Sequence, residues 1–340
     1  MTKIAINGFG RIGRHFLKQA LENSSFNIVA INDLGDGENL AYLLKYDTVY
    51  GRYYKEVSFS EGKLKVGDKE IVFLQEKDPT KLPWGALDID IVIESTGVFE
   101  SYEKAGVHIH AGAKRVVLTA PAKDEDGIGH TVLVGINDNV LKTAVLSSNG
   151  SCTTNAASPV IQIMSENPGI EKAILNTVHG YTATQSIVDG PVKGKDFRRG
   201  RAAGQNIVPS TTGAAIAVTR AIKELKGKFD GIAMRVPVAT GSLADITFLA
   251  KRKTSVEEIN SIFQTAAQNP RWQGILKVST AQLVSSDIIG EPYGAIVDLS
   301  FTKVVDGDLV KVLSWYDNEY GYVATLVKHI EIIARFTIMT

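Results

Sequence analysis

Cys152 is the only cysteine in the chain, and Ser151, Thr153, Thr154 and Asn155 surround it. A free cysteine is often an inert buried residue, but hydroxyl-rich flanks make a poor apolar pocket and a good cradle for an oxyanion. The apolar run 143–148 reads as a short buried strand and Asn149-Gly150 as a turn. Ala156, Val160, Ile161, Ile163 and Met164 then have helical spacing, ending before Pro168-Gly169. The thiol is therefore expected in the first turn of a helix, where unpaired amides and the dipole favour the thiolate. A reactive thiol also needs a base. Of six histidines, His179 alone ends an apolar strand (172–178) beside a Gly-Tyr-Thr turn, although a histidine there is commonly structural. His108 and His110 read as surface residues. One cysteine and scattered histidines give no metal-ligand spacing, so no metal is expected.

Three further stretches could hold anions. The segment 185–203 is long, polar and aperiodic, and it carries Arg198, Arg199 and Arg201. Such a cluster either forms surface ion pairs or recognises a phosphate through the planar guanidinium fork. Pro209-Ser210-Thr211-Thr212-Gly213 opens a helix expected over 214–225, a second hydroxyl-decorated helix N-terminus. Arg235 interrupts the apolar strand 231–236, and a charge there should be paired or face a site.

The N-terminal half carries a different chemistry. The apolar strand 3–7 leads into Gly8-Phe9-Gly10-Arg11-Ile12-Gly13, and a helical pattern follows through Phe16, Leu17, Ala20 and Leu21. The next strand, 26–31, ends at Asn32-Asp33, twenty positions after Gly13. Strand, glycine turn, helix, strand and acid form the dinucleotide-binding unit. Gly8 permits the turn, Gly10 lets backbone approach a pyrophosphate, and Gly13 lets the helix pack closely. Asp33 accepts from ribose hydroxyls and repels a 2′-phosphate, favouring NAD over NADP. Thr96, Gly97 and Thr119 end later apolar strands and are candidate cofactor neighbours or plain turn residues. Lys77 could reach the adenosine end, or simply be solvated.

These groups need a scaffold. Apolar strands alternating with helices imply an α/β fold, a doubly wound parallel sheet of the Rossmann type. Hairpins between Val57 and Val72 are expected at its edge. The strands 242–250, 295–301 and 309–315 alternate, implying a second, α+β domain with a mixed or antiparallel sheet. We place the domains at 1–150 and 151–317, with the last stretch, 318–340, returning to the first as a helix with its apolar face over 322–334. The chain has 37 basic and 37 acidic residues; zero net charge gives no field for nucleic acid and no dedicated nucleic-acid site. No run approaches the roughly 18 apolar residues of a membrane helix. The start has no signal-peptide core, and one cysteine cannot form an internal disulfide, so a reducing, cytoplasmic setting is expected.

Eight stretches, in order, resemble the phosphorylating glyceraldehyde-3-phosphate dehydrogenases. They are Ile6–Arg14, Ala30–Leu34, Glu94–Gly97, Ser151–Asn155, Val178–Thr182, Pro209–Ala215, Met234–Pro237 and Ser314–Glu319. The resemblance implies NAD as cofactor, with glyceraldehyde 3-phosphate and inorganic phosphate as substrates. Cys152 is then the nucleophile, His179 the base, and the Cys152 amide with His179 the oxyanion holder. Thr182 and Arg235 would hold the substrate phosphate, and Ser151, Thr153, Thr212, Gly213 and Arg199 the attacking phosphate. Asn7 and the amides of Arg11 and Ile12 join the cofactor site, and Asn318 holds the nicotinamide carboxamide. A homotetramer is implied, with the arginine-bearing loop between subunits. Departures include Ala156 where many relatives have a second cysteine, Gly150 for alanine, Arg199 for glycine or aspartate, the run Val238–Ser242, and a tail (335–340) expected to be poorly ordered. Two alternatives stay open: an erythrose-4-phosphate dehydrogenase, against which the retained Thr182 argues, and a non-catalytic NAD-binding or redox-sensing protein.

Overall fold

The computed structural model of the protein describes residues 1–192 and 194–337. It divides into two units. One comprises Met1–Val132, Asn137–Gly150 and the chain from Leu326 onward; the other comprises Leu133–Ile136 and Ser151–Thr325.

The first unit is built on one sheet. Its strands run in the order His130–Thr131, Leu146–Ser148, Arg115–Leu118, Ile91–Glu94, Thr2–Asn7, Phe26–Asn32 and Lys69–Leu74, each parallel to its neighbour. Ile4, Ala5, Ile6, Ile91, Val92 and Ile93 are fully buried, as strands covered on both faces must be. The expected hairpins sit at the edge: Lys63–Val66 and Val57–Ser60 pair antiparallel. Between them Glu61 and Gly62 both take positive φ, the geometry that matches strand twist in a two-residue turn.

The glycine turn is tight. Gly8 has φ +97°, and a side chain there would meet the Thr96 amide nitrogen at 2.6 Å; one on Gly13 would meet the Gly8 carbonyl oxygen at 2.2 Å. The following helix, Arg11–Ala20, buries Phe16, Leu17 and Ala20. His108 departs from expectation. It is fully buried, as are Tyr102 and Ala105. Residues three apart share one face of this stretch, and that stripe carries the imidazole inward. His110 is exposed as expected.

The second unit holds a mixed sheet ordered Val208–Thr211, Phe229–Val236, Ile170–Gly180, Ser242–Ala250, Leu309–Tyr316, Ala295–Val305 and Leu276–Ser279. Four pairs are antiparallel and two are parallel. Helices Cys152–Glu166, Ala214–Ala221 and Val256–Gln268 pack on it. Ile174 and Ile232 remain 58% and 47% exposed, so the sheet keeps an apolar, uncovered surface. The helix expected over 214–225 stops at Ala221, because Ile222 turns to φ −109°, ψ 77° and buries its side chain; Lys223–Leu225 form a separate 3-10 turn.

The last helix, Tyr320–Thr337, lies within the expected 318–340 and extends beyond the apolar face read over 322–334. At its start Asp317 Oδ1 accepts from the Glu319 and Tyr320 amides, at 2.9 and 2.8 Å. Val323, Leu326, Ile330 and Ile333 are buried and Val327 partly so. Of the tail expected to be loose, 335–337 continue this helix and 338–340 lie outside the described residues.

Gly13→Ala should lower stability by about 1–3 kcal/mol, the range for a forced extra methyl, because its Cβ collides with backbone rather than with a flexible side chain. Urea unfolding checks this; an unchanged midpoint means that the turn relaxes freely.

Candidate active site

Ser151 caps the helix Cys152–Glu166: its Oγ accepts from the Thr154 amide at 3.1 Å. Cys152 is the first helical residue, as the sequence predicts, and is partly exposed. Its sulfur lies 3.3 Å from His179 Nε2. His179, 3% exposed, closes the strand Ile170–Gly180. In the parallel pair with Phe229–Val236 it stands in register with Arg235, so the guanidinium reaches the imidazole.

His179 Nδ1 is 2.7 Å from both the Gly180 carbonyl oxygen and Arg235 Nη1. A carbonyl only accepts and a guanidinium only donates, so the two contacts call for opposite tautomers. We assign the hydrogen to Nδ1. The Gly180 oxygen then accepts both from it and from Arg235 Nη1, at 3.2 Å, and the Nε2 lone pair faces the sulfur.

Electrostatics differ from the expectation. Burial is the largest influence on the Cys152 thiol and pushes its pKa up; Arg235, the Thr153 amide and hydroxyl, and the Cys152 amide pull it down. Burial first and Arg235 second push His179 down, to about 3, against the Gly180 bond. Burial thus works against the helix amides at the sulfur. Ionisation of the sulfur and protonation of the imidazole are coupled through their 3.3 Å contact.

Thr153 also has a partner inside the sheet. It is 3% exposed, and its hydroxyl lies 2.9 Å from that of Tyr316. Thr177 donates its hydrogen to the Leu243 carbonyl at 3.2 Å and sits 2.7 Å from Tyr316. Each hydroxyl has one hydrogen, so Tyr316 donates to Thr177 and Thr153 to Tyr316. The Thr153 hydroxyl thus links Tyr316 to the neighbourhood of the sulfur, on which it also acts. Tyr316, whose ring meets His179 edge-on at 5.9 Å, was missed by sequence reasoning; its signal was only its membership of Ser314–Glu319.

The other anion candidates divide. Arg198 and Arg201 pair with Asp196 and Asp189, both at 2.8 Å, the bland reading of a basic cluster. Arg199 grips Ser210 Oγ through Nε and Nη2, at 3.1 and 2.8 Å, and also pairs with Asp196 at 3.6 Å. Ser210 lies on the strand paired with that of Arg235. Thr182 is half-buried and meets Thr184 Oγ1 at 2.9 Å. Thr212 Oγ1 accepts from the Ala214 amide at 3.2 Å, and exposed Gly213 has open space where a side chain would stand. Asn318 is ordered by a residue sequence reading missed. Ser242, fully buried, accepts from the Gly180 amide at 3.1 Å and donates to Asn318 Oδ1 at 2.9 Å. The amide's Nδ2 end is the one left to donate outward.

In the first unit, an added Cβ at Gly10 meets nothing within 4 Å. This cap residue offers backbone with room in front of it, which fits a pyrophosphate. Asp33 accepts from the Phe9 amide at 2.6 Å and the Gly35 amide at 2.8 Å, so the carboxylate stands beside the turn. Each oxygen keeps acceptor capacity for ribose hydroxyls. The Arg11 side chain is taken by Asp47 at 2.6 Å, which leaves Arg11 and Ile12 to act through backbone. Asn7 is internal: its amide spans Glu94 at 2.6 Å and Asn32 at 2.8 Å. Thr119 donates to the Glu94 carbonyl at 3.1 Å. Thr96 and Gly97 follow the strand Ile91–Glu94, and Lys77 is exposed beyond Lys69–Leu74.

The class these units define is a two-domain dehydrogenase, with a nucleotide-binding parallel sheet and a separate thiol–imidazole unit. Family models for the glyceraldehyde 3-phosphate dehydrogenase NAD-binding and C-terminal domains match residues 2–102 and 151–318. The glyceraldehyde-3-phosphate dehydrogenase of Streptomyces coelicolor is 48% identical over 328 residues, covering 96% of each chain. That of Clostridium pasteurianum is 45% identical over 339 residues, 98% of this chain and 99% of its own. The chain belongs to the glyceraldehyde-3-phosphate dehydrogenase family, and is an NAD-dependent oxidoreductase.

Arg235→Gln removes a cation that pulls the thiol down. The pH midpoint of iodoacetamide alkylation of Cys152 should therefore move upward relative to the unsubstituted chain. A midpoint that stays or falls means that Arg235 does not tune the sulfur.

Proposed function

We propose that the chain oxidises D-glyceraldehyde 3-phosphate to 1,3-bisphosphoglycerate with NAD and inorganic phosphate, the step used in glycolysis and gluconeogenesis. The observation that carries this reading is the 3.3 Å approach of Cys152 Sγ to His179 Nε2 beside Arg235. The sulfur adds to the aldehyde carbon while its proton passes through Nε2 to the new oxygen, giving a thiohemiacetal. The Cys152 amide and the His179 side chain hold that oxygen. NAD, when bound, supplies the hydride acceptor. His179 takes the hydroxyl proton back as the carbon is oxidised to a thioester. A phosphate oxygen then attacks the thioester carbonyl, the C–S bond breaks, and the acyl phosphate leaves.

Arg235 and Thr182 are the substrate-phosphate ligands in this reading. Ser151, Thr153, Thr212, Gly213 and Arg199 hold the attacking phosphate. Gly8, Gly10, Gly13, the Arg11 and Ile12 amides, Asp33, Lys77, Thr96, Gly97, Thr119 and Asn318 serve NAD, and Asn7 shapes that site from within. Domains of 1–150 and 151–317, with the last helix belonging to the first, complete this reading. A cytoplasmic homotetramer fits the lone cysteine, the uncovered Ile174 and Ile232, and the loop residues Ile187, Val188 and Phe197, each at least 73% exposed. No helix among the described residues is long and apolar enough to cross a membrane.

The test is NADH formation that depends on aldehyde, NAD and phosphate or arsenate. Cys152→Ser should abolish it while NAD binding persists. His179→Asn should lower kcat by about a hundredfold or more, the usual share of a general base. NADP should serve far less well than NAD. Absence of NADH formation by folded, reduced protein contradicts the proposal, and preference for erythrose 4-phosphate reassigns the substrate.

A further inference from the structure

Glu94 has no part in the chemistry above, yet it is 3% exposed. Among the described residues no lysine or arginine pairs with it. Its carboxylate is instead met by four hydrogen-bond donors. Oε1 accepts from the Thr96 amide at 2.9 Å and the Thr96 hydroxyl at 2.5 Å. Oε2 accepts from Asn7 Nδ2 at 2.6 Å and His108 Nε2 at 3.0 Å. The tautomer of His108 follows from its other partner. Trp84 Nε1 can only donate, and it points at His108 Nδ1 from 3.1 Å, so the imidazole hydrogen sits on Nε2 and goes to Glu94.

The network continues across the sheet. Asn32 donates to Asn7 Oδ1 at 2.8 Å and clasps Glu76 through its amide and carbonyl, at 2.9 and 3.0 Å. It thus joins the carboxyl ends of three parallel strands, Ile91–Glu94, Thr2–Asn7 and Phe26–Asn32, and the chain leaving a fourth. Gly8, Asp33 and Thr96 are the residues that follow those ends. The Thr96 amide nitrogen, held by Glu94, is also the atom that a side chain on Gly8 would strike at 2.6 Å. The wall of the glycine turn is therefore hung on this carboxylate. A buried carboxylate without a cation is costly to desolvate, and an apolar side chain would pack there at lower cost. What the carboxylate adds is a fixed spacing between strand ends.

We propose that Glu94, oriented by His108, is a positioning residue for NAD: it touches no substrate or cofactor, but sets Thr96 against Gly8 and the Asn7–Asn32 pair behind Asp33. This rests on the reading that the glycine turn holds NAD. In Glu94→Gln an amide NH2 replaces one acceptor and faces donors, and in His108→Leu the Nε2 donor is lost. Both should raise the KM and calorimetric Kd for NAD about tenfold, the scale of one lost buried charged hydrogen bond. The kcat at saturating NAD and the KM for aldehyde should stay within about twofold, since loss of a uniform binding contact acts on KM alone. His108→Gln can place an N–H where Nε2–H stands and should restore most of the NAD affinity. If His108→Leu does not fold, the isosteric Glu94→Gln decides. NAD constants unchanged in folded variants, or losses spread equally over kcat and both KM values, overturn the proposal. Failure of the unsubstituted chain to bind NAD instead removes the underlying reading as well.

Discussion

The catalytic unit depends on the register that sets His179 opposite Arg235 in a parallel strand pair. A shift of one residue would send the imidazole to the other face of the sheet, and the sulfur at the helix start would have no base. The same register creates a conflict, because it puts a guanidinium 2.7 Å from the base that must accept a proton. The cation discourages protonation of His179 while encouraging ionisation of Cys152. The two groups are thus tuned together, so a change at one is felt at the other.

Both units place polar groups where apolar ones would be simpler to bury. Ser242 is bonded to Gly180 and Asn318, and Tyr316 to two threonines. Each costs desolvation that only complete hydrogen bonding offsets. Ser242 stands on the strand next to that of His179, and Tyr316 meets the residue next to Cys152, so the polar interior acts as the alignment frame for the site. The core beneath the parallel sheet is mostly aliphatic, and its two large amphipathic rings, Trp84 and Tyr102, each find a hydrogen-bond partner.

What was readable in the sequence was local. The glycine turn, the acid at Asp33 and the helix opening at Cys152 are each written within a few tens of residues, and their physics is short-ranged. His179 could be chosen because few other residue types serve a thiol. The inward turn of Thr153 was not readable, since its partner Tyr316 lies 163 positions away. The direction of the thiol shift depends on how much chain packs around the sulfur, which no local pattern records. His108 was misjudged because nearby Gly106 and Gly112 look like turn punctuation, whereas the spacing from Tyr102 and Ala105 was the stronger signal. The end of the helix at Ala221 follows from burial of Ile222, a tertiary event that overrides propensity.

The hydroxyl series from Thr153 to the Leu243 carbonyl has a mechanical meaning. Ser151 fastens the helix start from one side through Thr154, Asn155 Nδ2 donates back to the Ser151 carbonyl at 3.0 Å, and Thr153 is moored to the middle of the sheet. With its backbone fastened on both sides, the sulfur keeps one soft freedom, a swing about its Cα–Cβ bond.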